Sequence, residues 1–150
     1  MINRTRRASL SLILLLVACT PVAGGPQAPE IAYGQDMCDG CGMIIDDARF
    51  AAALILETGE TRKFDDLAEM FAYTVRHPQE EVRAWFAHDY GSEIWVNAAS
   101  AFYVIGDELP TPMGGGVIAF EAHQSALTFA GERNADVFTF EQVMELRDWD

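Results

Sequence analysis

The apolar and polar positions of this chain change period several times, and each change marks an element. Phe50 to Glu57 is a β-compatible apolar run, Thr58-Gly59-Glu60 a turn, and Thr61 to Phe64 a return strand, which together predict a hairpin. From Asp65, a helix cap, to about Arg76 the spacing becomes helical, with Leu67, Met70, Phe71, Thr74 and Val75 on one face and Pro78 beyond the end. Val82 to His88 alternates as a strand. Glu93 to Asn97 and Phe102 to Ile105 read as two more, with Tyr90-Gly91-Ser92 turning the chain before the first of these. After the loop Pro110 to Gly116 come a short strand at Val117 to Phe120 and a helix at Ala122 to Glu132. The face of that helix is Ala126, Leu127, Phe129 and Ala130. A last strand at Val137 to Phe140 and a helix from Glu141 to Arg147 close the chain.

This order predicts an α+β domain. An internal echo adds detail, because Phe64-Asp65-Asp66-Leu67-Ala68-Glu69-Met70-Phe71 resembles Phe140-Glu141-Gln142-Val143-Met144-Glu145-Leu146. A methionine–glycine element precedes each stretch, at Gly42-Met43 and Met113-Gly114. Two related half-units would explain the echo.

The N-terminus has another character. Arg4, Arg6 and Arg7 precede the short apolar run Leu10 to Val17, which is the order of a secretory signal and too short to span a bilayer. The ending Leu16-Val17-Ala18-Cys19 resembles the lipobox of bacterial lipoproteins, in which the cysteine is lipidated and becomes the mature N-terminus. Residues 1–18 are therefore read as a lipoprotein signal peptide. Residues 19–36, with Pro21, Gly24, Gly25, Pro26 and Pro29, are read as a lipidated flexible tether, and residues 37–150 as one domain facing an extracytoplasmic space. Thr20, where inner-membrane retention often has aspartate, favours the outer membrane.

Charge narrows the partners. The chain has 10 basic and 23 acidic residues; without the leader's three arginines, seven basic residues remain and the net charge is −16. Such a surface repels nucleic acid and anionic headgroups and suits a partner with a basic dock.

The densest chemistry is Met37-Cys38-Asp39-Gly40-Cys41-Gly42-Met43. Thiolate and thioether are soft ligands that select Cu(I). Cys41 and Met43, two apart, share one side of an extended segment. Met113 is a second soft group, in the glycine-rich loop Pro112 to Gly116; its alternative is a methionine folded onto the core. Met70 and Met144 lie on helix faces and read as core. Cys38 and Cys41 also fit a short disulfide, which the compartment permits, or a redox pair, although neither flank reads as a redox helix. Zinc would call for a second ligand pair. His77 reads as a helix-end residue; His88 and His123 read as a residue at the rim of a buried face and a residue near a helix start. Asp46-Asp47 and Asp65-Asp66 read as turn and cap. No Ser-His-Asp arrangement, phosphate loop or glycosidase-like carboxylate pair stands out.

Cys38-Asp39-Gly40-Cys41-Gly42-Met43-Ile44-Ile45 resembles the Cys-x-x-Cys-Gly-Met-x-Ile motif of NosL-type lipoproteins. Lys63-Phe64-Asp65-Asp66, His88-Asp89-Tyr90, Trp95-Val96-Asn97-Ala98, Ala101 to Gly106 and Met113-Gly114 follow in the same order, so the likeness covers the mature chain. It implies an α+β fold of two ββαβ-like half-units and a carrier without catalysis of its own. The implied role is supplying Cu(I) for the copper–sulfide centre of nitrous oxide reductase, with an ABC-type transporter complex and its periplasmic component as docking partner. It implies Cys41, Met43 and Met113 as ligands, with Cys38 less secure because some relatives lack it. The helix at Ala122 to Glu132 departs from a strict second ββαβ unit. The rival readings are a tethered thiol–disulfide oxidoreductase using Cys38 and Cys41, and a structural lipoprotein with a small disulfide.

Overall fold

A computed structural model describes residues 25–146 and 149 of the 150. The expected signal peptide, the expected lipidation site Cys19 and the start of the expected tether lie outside the described residues. Among those described, no helix is long and apolar enough to cross a membrane.

The first sheet holds β1 (Ala52–Leu56), β2 (Thr61–Phe64), β3 (Val82–His88) and β4 (Trp95–Asn97) in the order β2-β1-β3-β4. Helix α1 (Leu67–Arg76) joins β2 to β3. After a short 3-10 turn at Ala98–Ser100, the second sheet holds β5 (Phe102–Ile105), β6 (Val117–Phe120) and β7 (Asp136–Thr139) in the order β6-β5-β7. Helix α2 (His123–Gly131) joins β6 to β7, and α3 (Phe140–Leu146) ends the chain's regular structure. All pairings are antiparallel.

Two half-units are thus present, each a hairpin, a helix and a strand returning to the hairpin's first member. Their correspondence differs from the sequence echo. The counterpart of Phe64-Asp65-Asp66-Leu67 is the β6–α2 junction at Phe120 to His123, not the β7–α3 junction at Phe140. The helix at Ala122 to Glu132 is the helix of the second unit, so it fits the repeat that it was expected to disturb. Gly42-Met43 precedes a hairpin, whereas Met113-Gly114 lies inside one; these two elements are not equivalent.

Burial explains the pattern. In the second sheet Tyr103, Val117 and Ala119 face a core shared with Leu54, Phe64, Leu67, Met70 and Phe71. The alternate residues Val104, Ile118 and Phe120 face Ala126 and Ala130 of α2. A strand covered on both sides reads as a continuous apolar run, as β6 does. Phe71 is the aromatic hub: its ring lies 5.2 to 6.4 Å from those of Trp149, Tyr103, Phe140 and Trp85. Asp89 ties the sheets together. Burial opposes its ionisation, but the Glu121, Ser92 and Gly91 amides and the Ser92 hydroxyl hold its carboxyl below the usual range.

Several boundaries move. Residues 31–36, expected in the tether, pack into the fold: Ile31 is buried, Asp36 pairs with Lys63 at 2.7 Å, and Tyr33 bonds His88. Val75 and Leu127, expected on apolar faces, are exposed, and Tyr73 takes the place of Val75 in the core. Phe140 begins α3 instead of ending β7.

His88 lies within the core, only 4% exposed, deeper than the expected rim. Its Nδ1 donates to the Glu93 carbonyl and its Nε2 accepts from the Tyr33 hydroxyl, each at 2.8 Å, while its ring lies tilted against Trp95 with centroids 3.8 Å apart. Both nitrogens are engaged, which leaves neither as a free ligand. Burial pushes its pKa down, and the Glu93 carbonyl and carboxylate oppose this less strongly. As pH falls through about 6.5, the unfolded chain takes a proton that the folded imidazole refuses. Stability is therefore lost from about pH 6.5 downward until the folded value is reached. The urea midpoint is expected to fall between pH 7 and pH 5, with a flatter dependence in His88→Gln. The carboxyls held low in the fold, such as Asp36 and Glu80, act only below about pH 4.5, outside that window. An equal slope in the variant would remove His88 as the source.

Candidate metal centre

The cysteine loop runs before β1 and is built by its own backbone. The Cys38 amide donates to the Met43 carbonyl at 2.7 Å, the Gly42 amide to the Cys38 carbonyl at 2.9 Å, and Met37 bridges Ile44. The turn needs Gly42 at φ +74°, a conformation disfavoured for residues with a Cβ. Two bonds lash the loop to the end of β2: Asp39 N to the Lys63 carbonyl at 2.8 Å and Lys63 N to the Asp39 carboxylate at 2.7 Å.

This lashing brings Cys38 and Cys41 to Asp65, the first residue after β2. The two sulfurs and a carboxylate oxygen of Asp65 lie within 4.8 Å of one another. Cys38 and Asp65 are buried and Cys41 is partly exposed. The Cys41 thiol donates to Asp65 Oδ1 at 3.5 Å, and both cysteines are free thiols in this structure. Burial pushes the Cys38 thiol up to about 12, against the amides of Cys41, Asp65 and Gly40 that face its sulfur. Cys38 is therefore a neutral thiol at ordinary pH. A cation that displaced its proton would leave a thiolate already met by those amides.

The sequence points to Asp65 as the cap of α1, but the cap is Asp66, whose Oδ1 accepts from Ala68 N at 2.8 Å, which leaves Asp65 free to face the cysteines. The signal was there in the doubled acid, since one carboxylate satisfies an N-cap.

Met43 and Met113 lie on separate loops, and both are substantially exposed, Met43 by 52% and Met113 by 42%. Met43 follows Cys41 by two residues. Met113 arrives from the β5–β6 hairpin, and its amide donates to Asp66 Oδ2 at 2.9 Å. Both sulfur-bearing loops thus meet the chain at consecutive residues, 65 and 66. Met70 is fully buried and Met144 packs partly buried against the core, as their helical positions predict. His77 Nδ1 donates to the Tyr73 carbonyl at the end of α1, and His123 is exposed at the start of α2 beside Phe102.

Such a molecule is a small α+β domain of two half-units with a thiol-rich, metal-capable cluster at the edge of the first. A family model described as NosL matches residues 31–146, and the chain belongs to the NosL family. The copper-binding lipoprotein NosL of Stutzerimonas stutzeri is 30% identical over 124 residues, 77% of this chain and 65% of that protein. The chain thus spans a little under two thirds of that relative's length. The crystal structure of the copper chaperone NosL from Shewanella denitrificans superposes with a TM-score of 0.70 at 18% identity, covering 81% of this chain and 99% of that one. At that identity the likeness concerns the fold.

Proposed function

We propose that this protein is a copper-binding carrier without catalysis of its own, holding Cu(I) at Cys41, Met43 and Met113, with Cys38 as a further thiol. The observation that carries this reading is the pair of thiols beside Asp65, with two exposed thioethers on the loops that meet there. Sulfur outnumbers oxygen in such a set, which favours a soft monovalent ion over a hard one. The partial exposure of Cys41, Met43 and Met113 suits delivery, because a partner's ligands can enter while these leave one at a time. A lipid on Cys19 would hold the carrier at the periplasmic face of a membrane, the outer one by the residue at Thr20. Delivery to the assembly machinery of nitrous oxide reductase, an ABC-type complex with a periplasmic component, is the client assignment we favour. The named copper-binding relatives support the cargo.

The redox reading fares worse on physical grounds. Its cysteines would need a lowered thiol pKa at a helix start. Here the pair sits in a loop before a strand, and burial moves Cys38 in the opposite direction.

Anaerobic titration of the reduced protein lacking its lipid, against a chromophoric Cu(I) chelator, tests the proposal. One ion held tightly per chain is expected, with weaker binding in Met43→Leu. Failure to compete with the chelator would overturn it. Loss of binding in cells lacking nitrous oxide reductase has no bearing on the cargo; copper content of that enzyme in a strain lacking this protein tests the client.

A further inference from the structure

We propose that Asp66 is a positioning residue that sets the contribution of Met113 to the copper site, with Gly115 as the surface against which it holds the loop. This rests on the reading of Met113 as a ligand. Asp66 is fully buried, and its two oxygens are divided between two tasks. Oδ1 caps α1 through Ala68 N at 2.8 Å; Oδ2 accepts from Met113 N, 47 residues away, at 2.9 Å. A cap needs one oxygen. The second is committed to the hairpin loop.

Close packing makes the same attachment. A Cβ placed on Gly115 would overlap the Ala68 Cβ and come within 3.2 Å of Asp66 Oδ1. The loop therefore lies flush on the first turn of α1 only because position 115 has no side chain. The loop's own turns are closed separately, by Gly114 N to the Thr111 carbonyl and Gly116 N to Thr111 Oγ1, both at 3.0 Å. Those bonds shape the loop; the bond to Asp66 and the contact at Gly115 place it on the helix.

Asp65 accepts from Cys41 and Asp66 from Met113. One dipeptide, rigidly fixed between β2 and α1, thus receives both sulfur-bearing loops. The Met113 side chain is partly exposed, so its backbone anchor decides where the thioether can reach. Releasing that anchor removes Met113 from the site without touching a sulfur atom.

Asp66→Asn separates the two tasks. Asparagine is as good a cap as aspartate, but its amide nitrogen would face the Met113 N–H, donor against donor. Gly115→Ala disturbs the loop while leaving both carboxylate oxygens in place. The experiment is Cu(I) competition and copper K-edge EXAFS on the purified full lipoprotein, with circular dichroism to follow the fold. Asp66→Asn and Gly115→Ala are each expected to weaken Cu(I) binding to about the extent of Met113→Leu and to lower the sulfur count per copper by one. The double variant Asp66→Asn/Met113→Leu should bind no more weakly than Met113→Leu alone, because both changes remove the same ligand.

If Met113→Leu weakens binding while Asp66→Asn and Gly115→Ala bind like the parent, the positioning role is wrong and the ligand stands. Losses that multiply in the double variant also overturn it, since Asp66 would then act by another route. Unaltered binding in Met113→Leu overturns the ligand and the positioning role together. Should Asp66→Asn fail to fold, Gly115→Ala carries the same test.

Discussion

Cys41→Ser is expected to lose tight Cu(I) binding while keeping its fold. Cys41 is only partly buried, its backbone lies in a turn closed by neighbouring residues, and its thiol makes a single long hydrogen bond to Asp65. Serine fits that space and can donate to the same oxygen, so the thermal midpoint should move by no more than a few degrees. The ion, by contrast, loses its strongest soft donor and meets a hydroxyl that stays protonated. A loss on the order of 100-fold or more is expected, since even outer-shell changes around metal sites cost 10–100-fold. Chelator competition on parent and variant measures it. Equal affinity in the two would remove Cys41 from the site and, with it, the carrier reading. The thiol–disulfide alternative makes a different forecast: insulin reduction by the dithiol form, abolished equally at Cys38 and Cys41, with Met43 and Met113 irrelevant.

Phe71→Ala is expected to have the largest effect on stability. Its ring is fully buried and touches Trp85 of the first sheet, Tyr103 of the second, Phe140 of α3 and Trp149 beyond it. These partners belong to different elements, so they cannot collapse together into the space left behind. Large-to-small changes of this kind cost about 3–5 kcal/mol, and the poor relaxation places this one toward the upper end. Urea unfolding of the lipid-free protein should show a midpoint lowered by that cost divided by the slope, with the slope itself unchanged. A cost below about 1 kcal/mol would mean that the two sheets are held together elsewhere, by Asp89 and the Tyr90 and Glu121 amides.

Local elements were legible because local physics made them. The β1–β2 hairpin, α1, β5 and β6 follow directly from period, turn residues and a capping acid. What was not legible was long-range. Nothing in the periodicity shows that Tyr33 completes the hydrogen bonding of His88, 55 residues on, and so draws residues 31–36 into the fold. The echo at Phe140 misled because an aromatic strand end followed by an acid recurs wherever a strand feeds a helix, and only strand pairing reveals which junctions correspond. Of the proposed ligands, Cys41, Met43 and Met113 carried a chemical signature in their residue types. Asp65 and Asp66 offered only their doubling, because a single carboxylate before a helix already has an ordinary explanation. Their separate tasks depend on which loops arrive from elsewhere in the chain.

The matching strand orders β2-β1-β3 and β6-β5-β7 have a consequence for stoichiometry. The pseudo-symmetry of the scaffold is not shared by its sulfur atoms. The segment before β5, Ala98-Ala99-Ser100-Ala101, stands where the cysteine loop stands before β1, and the β1–β2 turn at Thr58-Gly59 stands where the β5–β6 loop carries Met113. Neither has a cysteine or methionine. Doubling a ββαβ unit would therefore have duplicated the frame without duplicating the sulfur atoms. On the proposed ligand set, each half would contribute a different, unrepeated portion of one asymmetric centre. A single ion per chain is the stoichiometry that this set would give, and a separated half-unit of either kind would hold an incomplete set.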